Sequence, residues 1–439
     1  SAASCIVQGL SIFNFGGITD GGALNGAITV LAANAIVQGN YLGVKADGIT
    51  PGPARNDAAL GLISTGALVG GINPEDRNVI YAKSDDNASA AIFVAGSASE
   101  VYGNYIGIGK DGVTDLTPEA ADANGLNPPY SFGINMTNDG GNIVGGPNAG
   151  QRNVISGNTA NVIFSSDNNV VQGNYIGTDY AGNINPSFTN GAGVINSTGD
   201  QNKLGGTNAG EGNVIKGVKG FGVNVSVFNL PTISYELSGQ RLSILGNSIS
   251  DIGVFSLNVF GNSNLGIDIS RQTDTGDPAD FVPDVFEQYG PNENDSGDAD
   301  TGANGRINSP QLNSAKQTGG QIAVNYDLDA ADSPSNSYRV EFFANDSSTI
   351  FGYGPGKEFI GAVTVSPGTN LTANLAVSGD YANKALSATT TAIDGASSTG
   401  FGSTSEFAQN VEIGSATDAD ADGISDVVED GDPNNGDGN

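Results

Sequence analysis

Carboxylates recur at a metal-binding spacing near residue 420. Residues 418–429 read DADADGISDVVE, with acidic side chains at the first, third, fifth, ninth and twelfth positions and glycine at the sixth. Calcium takes about six to eight oxygen ligands around a tight turn, and glycine at the sixth position permits that turn. The pattern predicts a Ca²⁺ loop whose ligands are Asp418, Asp420, Asp422, the backbone carbonyl of Ile424, Asp426 and Glu429.

This segment also has a second interpretation. No amphipathic helix precedes the loop, so it is not half of an EF-hand pair, and the same residues could form an acidic tail without metal. A following loop begins at Asp430 or Asp432 and breaks off at Asn439. A second calcium site is predicted at Asp295, Asp298 and Asp300, for which a solvated acidic linker is the alternative.

Catalytic chemistry has little support in the sequence. Histidine is absent from the 439 residues, which excludes histidine triads, general bases and metal ligands. A glycoside hydrolase needs two carboxylates about 5 to 10 Å apart, and pairs such as Asp85 with Asp86 have no distinguishing context. Arg77, Arg152 and Lys203 fall in repeated turns, where a structural salt bridge or a carbonyl contact is a simpler explanation than a lyase base. We therefore predict no catalytic residue.

Charge and composition exclude further classes. The chain has 16 Lys and Arg against 47 Asp and Glu, a net charge of −31, which argues against nucleic acid and anionic membranes as partners. The sequence has no apolar run of about eighteen residues, so no membrane insertion is predicted. The single cysteine, Cys5, rules out an internal disulfide framework and is expected to be a small buried side chain.

Two phrases recur in the first 270 residues. A Gly-Gly phrase ending in Asn-Val-Ile starts at Val69, Val144 and Leu204, and a Gly-Asn-Tyr phrase starts at Val37, Val101 and Val171. Between them lie short runs of Val, Ile, Ala and Phe bounded by Gly, Asn and Ser, which predict an all-β protein. Such a long imperfect repeat favours a parallel β-helix, for which we expect about twenty residues per coil and about three coils per repeat.

Asparagine recurs at one corner of this predicted repeat. Asparagines stacked in successive coils can bond to one another, and the neighbouring glycines permit the turn. We therefore predict a structural turn and ladder formed by Asn40, Asn78, Asn104, Asn153, Asn174 and Asn213.

The sequence changes character twice after the repeats. Residues 1–270 are assigned to the β-helix, and residues 271–305, rich in Asp, Gly and Pro, to its last coil or an acidic linker. In residues 306–415 apolar and polar side chains alternate, which predicts antiparallel strands in an immunoglobulin-like β-sandwich, without the Cys–Trp–Cys signature. Residues 416–439 form the calcium-loop tail.

Several phrases resemble a known family. GGxNAGxxNVISGN followed by VQGNYIGTD resembles the right-handed parallel β-helix repeats of large secreted bacterial surface proteins. LGIDIS at Leu265, NDSGDADTGANG at Asn294, YRVEFFA at Tyr338 and TSEF at Thr404 resemble the linker and sandwich module that often follow those repeats. The loop at Asp418 resembles thrombospondin type 3 calcium repeats. The resemblance covers nearly the whole chain and carries over no catalytic residues.

The resemblance implies a structural or adhesive protein at the bacterial cell surface. We expect a rigid rod with a calcium-stabilised C-terminal region that assembles into fibres or a surface layer, with itself, another surface protein or a glycan as partner. CIVQGL at Cys5 resembles IVQGN at Ile36, so we expect the chain to be a piece of a longer precursor. The alternative is a β-helix protein that binds or degrades polysaccharide, of lyase or hydrolase type.

Overall fold

The protein is built almost entirely from strands and turns. The computed structural model describes residues 5–14, 26–52, 58–82, 89–116, 131–188, 190–225, 241–252, 265–269, 291–299, 302–348 and 352–415. Helical structure in these ranges is confined to short turns at Pro74–Asp76, Ala149–Gln151 and Ala303–Arg306. None of the described helices is long and apolar enough to cross a membrane. The all-β prediction is confirmed.

Twenty-four short strands form three parallel sheets of eight strands each, and strands are numbered in chain order. Sheet A contains β1 (Ile6–Gln8), β4 (Ile36–Gln38), β7 (Leu68–Gly70), β10 (Glu100–Tyr102), β13 (Ile143–Val144), β16 (Val170–Val171), β19 (Asn202–Gly205) and β22 (Leu242–Leu245). Sheet B contains β2 (Ser11–Ile12), β5 (Tyr41–Leu42), β8 (Val79–Ile80), β11 (Tyr105–Ile106), β14 (Val154–Ile155), β17 (Tyr175–Ile176), β20 (Val214–Lys216) and β23 (Ser248–Ser250).

Sheet C contains β3 (Gly26–Val30), β6 (Ala58–Leu62), β9 (Ser89–Val94), β12 (Ser131–Met136), β15 (Ala160–Phe164), β18 (Ala192–Asn196), β21 (Val223–Val225) and β24 (Ile267–Ile269). The chain visits sheets A, B and C in turn, and each strand pairs with the strand three later. This stacking is consistent with the predicted parallel β-helix. We number its coils 1 to 8, coil n containing the nth strand of each sheet.

The core of the stack consists of apolar columns. Inward residues of sheet A pair in register from coil to coil and are fully buried, as at Val37, Val69 and Val101. Sheet B contributes Leu42, Ile80, Ile106, Ile155, Ile176 and Ile215 to the same core. Each buried aliphatic side chain of this size contributes about 1.5 to 3 kcal/mol through removal from water, so the columns stabilise the whole length of the stack.

The predicted coil length is wrong. Asparagines bonded between successive coils are 38, 26, 49, 21, 39 and 34 residues apart. The 64 residues from Gly39 to Gly103 therefore span two coils, not three. Tyr105 of a Gly-Asn-Tyr phrase pairs with both Val79 and Val154 of the Gly-Gly phrases. The two phrases are thus equivalent positions in alternate coils.

The corner between sheets A and B explains this alternation. It is long in coils 3, 5 and 7, at residues 71–78, 145–153 and 206–213. It is short in coils 2, 4, 6 and 8, at residues 39–40, 103–104, 172–174 and 246–247. Equivalent positions therefore lie at unequal sequence spacings, which a search for a constant period does not detect.

Cys5 is also placed differently from the prediction. Its side chain is exposed. It precedes β1 in coil 1, and none of the described coils packs on the outer side of that coil. In the middle of the stack the equivalent position is buried by the neighbouring coils. Among the described coils, Cys5 lacks one of these neighbours and is therefore exposed.

A fourth sheet lies C-terminal to the coils. Its strands are β25 (Gln311–Thr318), β26 (Gln321–Leu328), β27 (Tyr338–Asn345), β28 (Glu358–Val365), β29 (Gly368–Ala376), β30 (Ala385–Ile393), β31 (Phe401–Thr404) and β32 (Val411–Gly414). We call this the C-terminal sheet; its order is β28-β27-β30-β32-β25-β26-β29, with β31 beside β30. All pairs are antiparallel except β25 with β32.

The C-terminal sheet folds over on itself. Tyr326 on β26 and Phe342 on β27 are not on neighbouring strands, yet their ring centroids lie 5.6 Å apart in an edge-to-face contact. Ile322, Val324 and Val340 are fully buried in the same cluster. Alternation of buried and exposed residues along β26 therefore gives the sheet one apolar face.

Candidate functional site

The predicted asparagines form a continuous buried column. Asn104 donates from its backbone N–H (2.9 Å) and its Nδ2 (3.1 Å) to Oδ1 of Asn153 in the next coil. Its Nδ2 also donates to the Val69 carbonyl at 3.0 Å. The same pattern connects Asn40, Asn78, Asn104, Asn153, Asn174, Asn213 and, beyond the prediction, Asn247. Because these amides are buried and bonded within the stack, the column acts as scaffold.

A second asparagine column lies at the corner before sheet A, and sequence reasoning missed it. Asn142 donates to Asn169 Oδ1 at 3.0 Å, and Asn169 donates to Asn202 Oδ1 at 2.8 Å. All three side chains are buried. The signal was present: Asn142 and Asn169 directly precede sheet A strands and Asn202 begins one, in NIVGG, NVVQG and NKLGG.

Two arginines of the repeated turns hold the outer side of sheet B. The Arg77 guanidinium lies 4.0 Å from the Tyr105 ring centroid and its Nε donates to the Gly103 carbonyl at 3.0 Å. Arg152 repeats this with Tyr175 at 4.1 Å and a 3.2 Å bond to the Gly173 carbonyl. The predicted carbonyl contact is therefore confirmed for both arginines.

The arginine and the tyrosine are both replaced at the end of the stack. In coils 3 and 5 an arginine precedes the asparagine of the column, whereas in coil 7 Gly212 precedes Asn213. Ser248 pairs with Val214 at the position that tyrosine occupies in coils 4 and 6. A Cβ on Gly212 would lie 1.9 Å from the Gly246 carbonyl oxygen, so this corner excludes any larger residue.

The predicted calcium ligands fall mostly beyond the described structure. Residues 416–439, which contain the whole Asp418–Glu429 loop, and Asp300 lie outside the described residues. Across the described part of the chain, no group of three or more acidic, cysteine or histidine side chains is arranged to hold one metal ion. Both calcium sites stay predictions.

Asp295 and Asp298, the described members of the second predicted site, bind backbone amides. Asp298 is buried and accepts hydrogen bonds from the N–H groups of Asn308 and Ala331, both at 2.8 Å. Burial raises the pKa of the Asp298 carboxyl. Asp295 accepts from the Ala299 N–H at 3.1 Å. These bonds hold the turn that precedes the C-terminal sheet.

The last coil is closed by residues from the C-terminal sheet and its flanking turns. The outer edge of a stacked sheet presents backbone N–H groups that need acceptors. In coil 8 side-chain oxygens supply most of those acceptors, where a further coil would supply carbonyls. The bonds run from Leu242 N–H to Asn304 Oδ1 (2.7 Å), Ile244 N–H to Thr404 Oγ1 (2.9 Å), Gly246 N–H to Glu341 Oε2 (2.8 Å), Ile249 N–H to the Gly356 carbonyl (2.8 Å) and Ile269 N–H to Glu406 Oε1 (2.7 Å). We call this set of contacts the end cap.

Apolar and ionic contacts complete the end cap. Phe343 and Phe407 belong to the core of the β-helix, and their ring centroids lie 5.4 Å apart at a right-angled contact. On one side of coil 8, Arg241 bridges Asp200 of the stack at 2.8 Å and Asp394, which follows β30, at 3.1 Å. The end cap therefore covers the apolar end of the coil as well as its backbone edge.

Two carboxylates near this end are buried and have perturbed pKa values. Burial raises the pKa of Glu341, and the attraction of Arg339, whose Nε donates to Glu341 Oε1 at 2.7 Å, opposes that shift. Burial raises the pKa of Asp268 on β24 to about 7, although Asn224 Nδ2 donates to it at 3.1 Å. Desolvation of a charge explains both directions.

The end cap was not recognised in the sequence. β32 begins at Val411, and Glu406 and Phe407, which precede it, cover coil 8. A signal was available, since Glu341 interrupts the apolar run YRVEFFA and TSEF contributes Thr404, Glu406 and Phe407 to the cap.

Comparison with known proteins assigns no family to the chain. No protein-family model matches it, and no curated protein is similar to it in sequence.

Proposed function

We propose that this protein is an extracellular bacterial surface protein with a structural or adhesive role, a rigid β-helical rod followed by an immunoglobulin-like sandwich and a calcium-stabilised tail. The observation that carries the proposal is the asparagine column, which runs without a break from coil 2 to coil 8 and ends at the end cap. The buried amides of this column bond to one another within the stack, which suits a protein whose role is to hold a rigid shape.

The dimensions suit a rod. Stacked strands lie about 4.8 Å apart, so eight coils span roughly 35 Å. Every sheet runs the full length of the stack together with its apolar columns, and the first asparagine column spans coils 2 to 8. Bending such a stack would break several hydrogen-bonded ladders at once, which supports a role as a rigid spacer.

The end cap bears on how such rods would assemble. Open coil ends tend to pair with other chains, and a head-to-tail contact would give an open filament. Here the coil 8 edge is already bonded to Asn304, Thr404, Glu341 and Glu406. We therefore propose that assembly into fibres or a surface layer uses other surfaces than this end.

Two finer parts of the proposal are the immunoglobulin-like sandwich and the calcium loop. The folded sheet of β25–β32 has the strand density of an immunoglobulin-like sandwich, and its two halves meet at Tyr326 and Phe342. The Asp418–Glu429 loop would bind Ca²⁺ through five carboxylates and the Ile424 carbonyl.

The test compares location and activity. Antibodies raised against the chain are applied to intact and to permeabilised source cells, and the purified chain is offered a panel of acidic and neutral polysaccharides. We expect labelling of intact cells and no shortening of any polysaccharide. Labelling that requires permeabilisation contradicts the surface role. Release of reducing ends or unsaturated sugars would support the polysaccharide-degrading alternative instead of the surface role. Binding to a polysaccharide without release of sugars would support the polysaccharide-binding alternative.

A further inference from the structure

The outer face of sheet A carries an aliphatic stripe that contains one acid and one base. Its outward column, read from coil 2 to coil 7, is Ile36, Leu68, Glu100, Ile143, Val170 and Lys203, paired in register. All six side chains are half-buried or exposed. One acid and one base thus interrupt an aliphatic stripe, three coils apart, in a protein with net charge −31.

We propose that this face in coils 4–7 binds the same face of a second copy, antiparallel about a two-fold axis, with Glu100 of each copy opposite Lys203 of the other. In this arrangement coil 4 faces coil 7 and coil 5 faces coil 6. Ile143 then faces Val170 of the other copy, so the apolar pair lies between two ion pairs. A self-complementary patch is what a two-fold contact requires.

The shape of the face fits the same register. Beside the aliphatic stripe, glycine and large residues alternate: Gly145 and Gly205 lie in coils 5 and 7, and Tyr102 and Gln172 in coils 4 and 6. A Cβ on Gly205 would lie 2.0 Å from the Leu245 carbonyl oxygen, so a side chain is excluded there. Pairing coil 4 with coil 7 places Tyr102 over Gly205 of the other copy, and pairing coil 5 with coil 6 places Gln172 over Gly145.

The corners beside the face agree with this pairing. Long corners lie in coils 5 and 7 and short corners in coils 4 and 6. Facing coil 4 with coil 7 and coil 5 with coil 6 sets every long corner against a short one. Any antiparallel register that pairs odd with even coils has this property, and the opposite charges of Glu100 and Lys203 select one of them.

The contact is small. Four coils at about 4.8 Å and three residues at about 3.3 Å give a face of roughly 20 Å by 10 Å, about 200 Å² per copy, well below the roughly 800 Å² per partner of a stable interface. We expect association that is seen at high protein concentration, as on a crowded surface. Lys203 also interacts with Glu211 of its own coil, whose pKa it helps to lower. Removing the charge of Lys203 would disturb that interaction as well, so exchanging the charges of Glu100 and Lys203 is the sharper test.

The first test reverses the charges and measures the dissociation constant by sedimentation equilibrium at about 0.15 M salt. Glu100→Lys and Lys203→Glu each set like charges opposite, so each should weaken association at least about tenfold. The double variant, and an equimolar mixture of the two single variants, should restore it. Glu412→Lys and Lys45→Glu make the same charge changes at exposed sites away from sheet A and should change nothing.

A second test reads the direction of the contact by crosslinking. In a Cys5→Ser background, Ile143→Cys and Ile36→Cys are each treated with a short bismaleimide, because packed sheets lie about 10 Å apart. In the antiparallel register the two cysteines introduced at position 143 are offset by one coil and should crosslink, whereas the two introduced at position 36 are offset by seven coils, roughly 34 Å, and should not. A wild-type chain that stays monomeric, single reversals without effect, a double variant that does not recover, or crosslinks between Ile36→Cys chains would overturn the proposal.

Discussion

The backbone N–H of Gly246 donates a 2.8 Å hydrogen bond to Oε2 of Glu341, 95 residues later in the chain. Glu341 is fully buried, and its other oxygen accepts from Arg339. Gly246 lies at the corner that ends sheet A in coil 8, and Glu341 lies on β27 of the C-terminal sheet. One carboxylate thus joins the end of the β-helix to the sheet that covers it.

Removing this carboxylate should destabilise the protein. Glu341→Ala leaves the Gly246 N–H without its acceptor and Arg339 without its ion pair, which we expect to cost about 3 kcal/mol. Glu341→Gln keeps an acceptor and should cost less. Denaturant unfolding followed by circular dichroism measures both, with Glu412→Ala at an exposed position of β32 as control. Equal stability of Glu341→Ala and the parent would contradict the role of the end cap.

Asp268 should make stability depend on pH. Its pKa is raised by burial to about 7, from an ordinary value of 3.8, so the folded state holds the proton more tightly than the unfolded state. The resulting stability is present below about pH 4 and is lost as pH rises toward about 7. Asp268→Asn removes this titration. The free energy of unfolding of the variant should therefore rise by roughly 3 kcal/mol relative to that of the parent as the pH is raised from 5 to 8.

The measurement for Asp268 is the free energy of unfolding of parent and variant at several pH values. Asp139→Asn, at an exposed carboxylate in coil 4, is the matched control. If the stability difference between Asp268→Asn and the parent is the same at pH 5 and pH 8, the raised pKa is refuted.

Substitution of an asparagine in the middle of the first asparagine column should destabilise the protein. Asn153 accepts two bonds from Asn104 and donates to the Val101 carbonyl at 2.8 Å. Asn153→Ala leaves several buried groups without partners, and we expect a loss of about 3 kcal/mol or more. Asn148→Ala, in the exposed corner of the same coil, should cost far less. Thermal unfolding measures the melting temperatures of both variants. Similar melting temperatures would contradict the stabilising role of the asparagine column.

Arg152 and Tyr175 should be energetically coupled. The guanidinium lies over the ring at 4.1 Å, and coils 7 and 8 replace the two positions together with Gly212 and Ser248. In a double-mutant cycle of Arg152→Gly and Tyr175→Ser we expect a coupling free energy of about 0.5 to 1 kcal/mol. Additive effects of the two substitutions would show that the stacking contributes nothing.

Calcium should protect the C-terminal tail. If residues Asp418 to Glu429 form the predicted loop, chelation should increase proteolysis beyond residue 415, and Glu429→Ala should remove the protection because it removes a bidentate ligand. Isothermal titration of the full chain measures binding directly. Asp47→Asn, in an exposed turn of coil 2, is the control. Identical proteolysis patterns with calcium and with chelator would disprove the loop.

The sequence alone was sufficient for the features that depend on neighbouring residues. Alternation along β26 and β27 predicted antiparallel strands, and the repeated Gly-Asn phrases predicted parallel stacking with asparagines at one corner, because local side-chain pattern and turn chemistry decide both. The second column of Asn142, Asn169 and Asn202 carried the same kind of signal and was overlooked.

Tertiary structure alone decided the number of coils and the end cap. The segment between sheets B and C holds 24 residues in coil 4 and four in coil 5, and the corner between sheets A and B holds nine in coil 5 and three in coil 6. Residues that stack, such as Asn104 and Asn153, are therefore 49 positions apart, whereas Asn153 and Asn174 are 21 apart. Glu341 and Glu406 look like surface acids of ordinary strands until coil 8 is packed against them. A buried charge is explained by the groups that surround it, and here the backbone N–H groups of Gly246 and Ile269 come from more than 90 residues away.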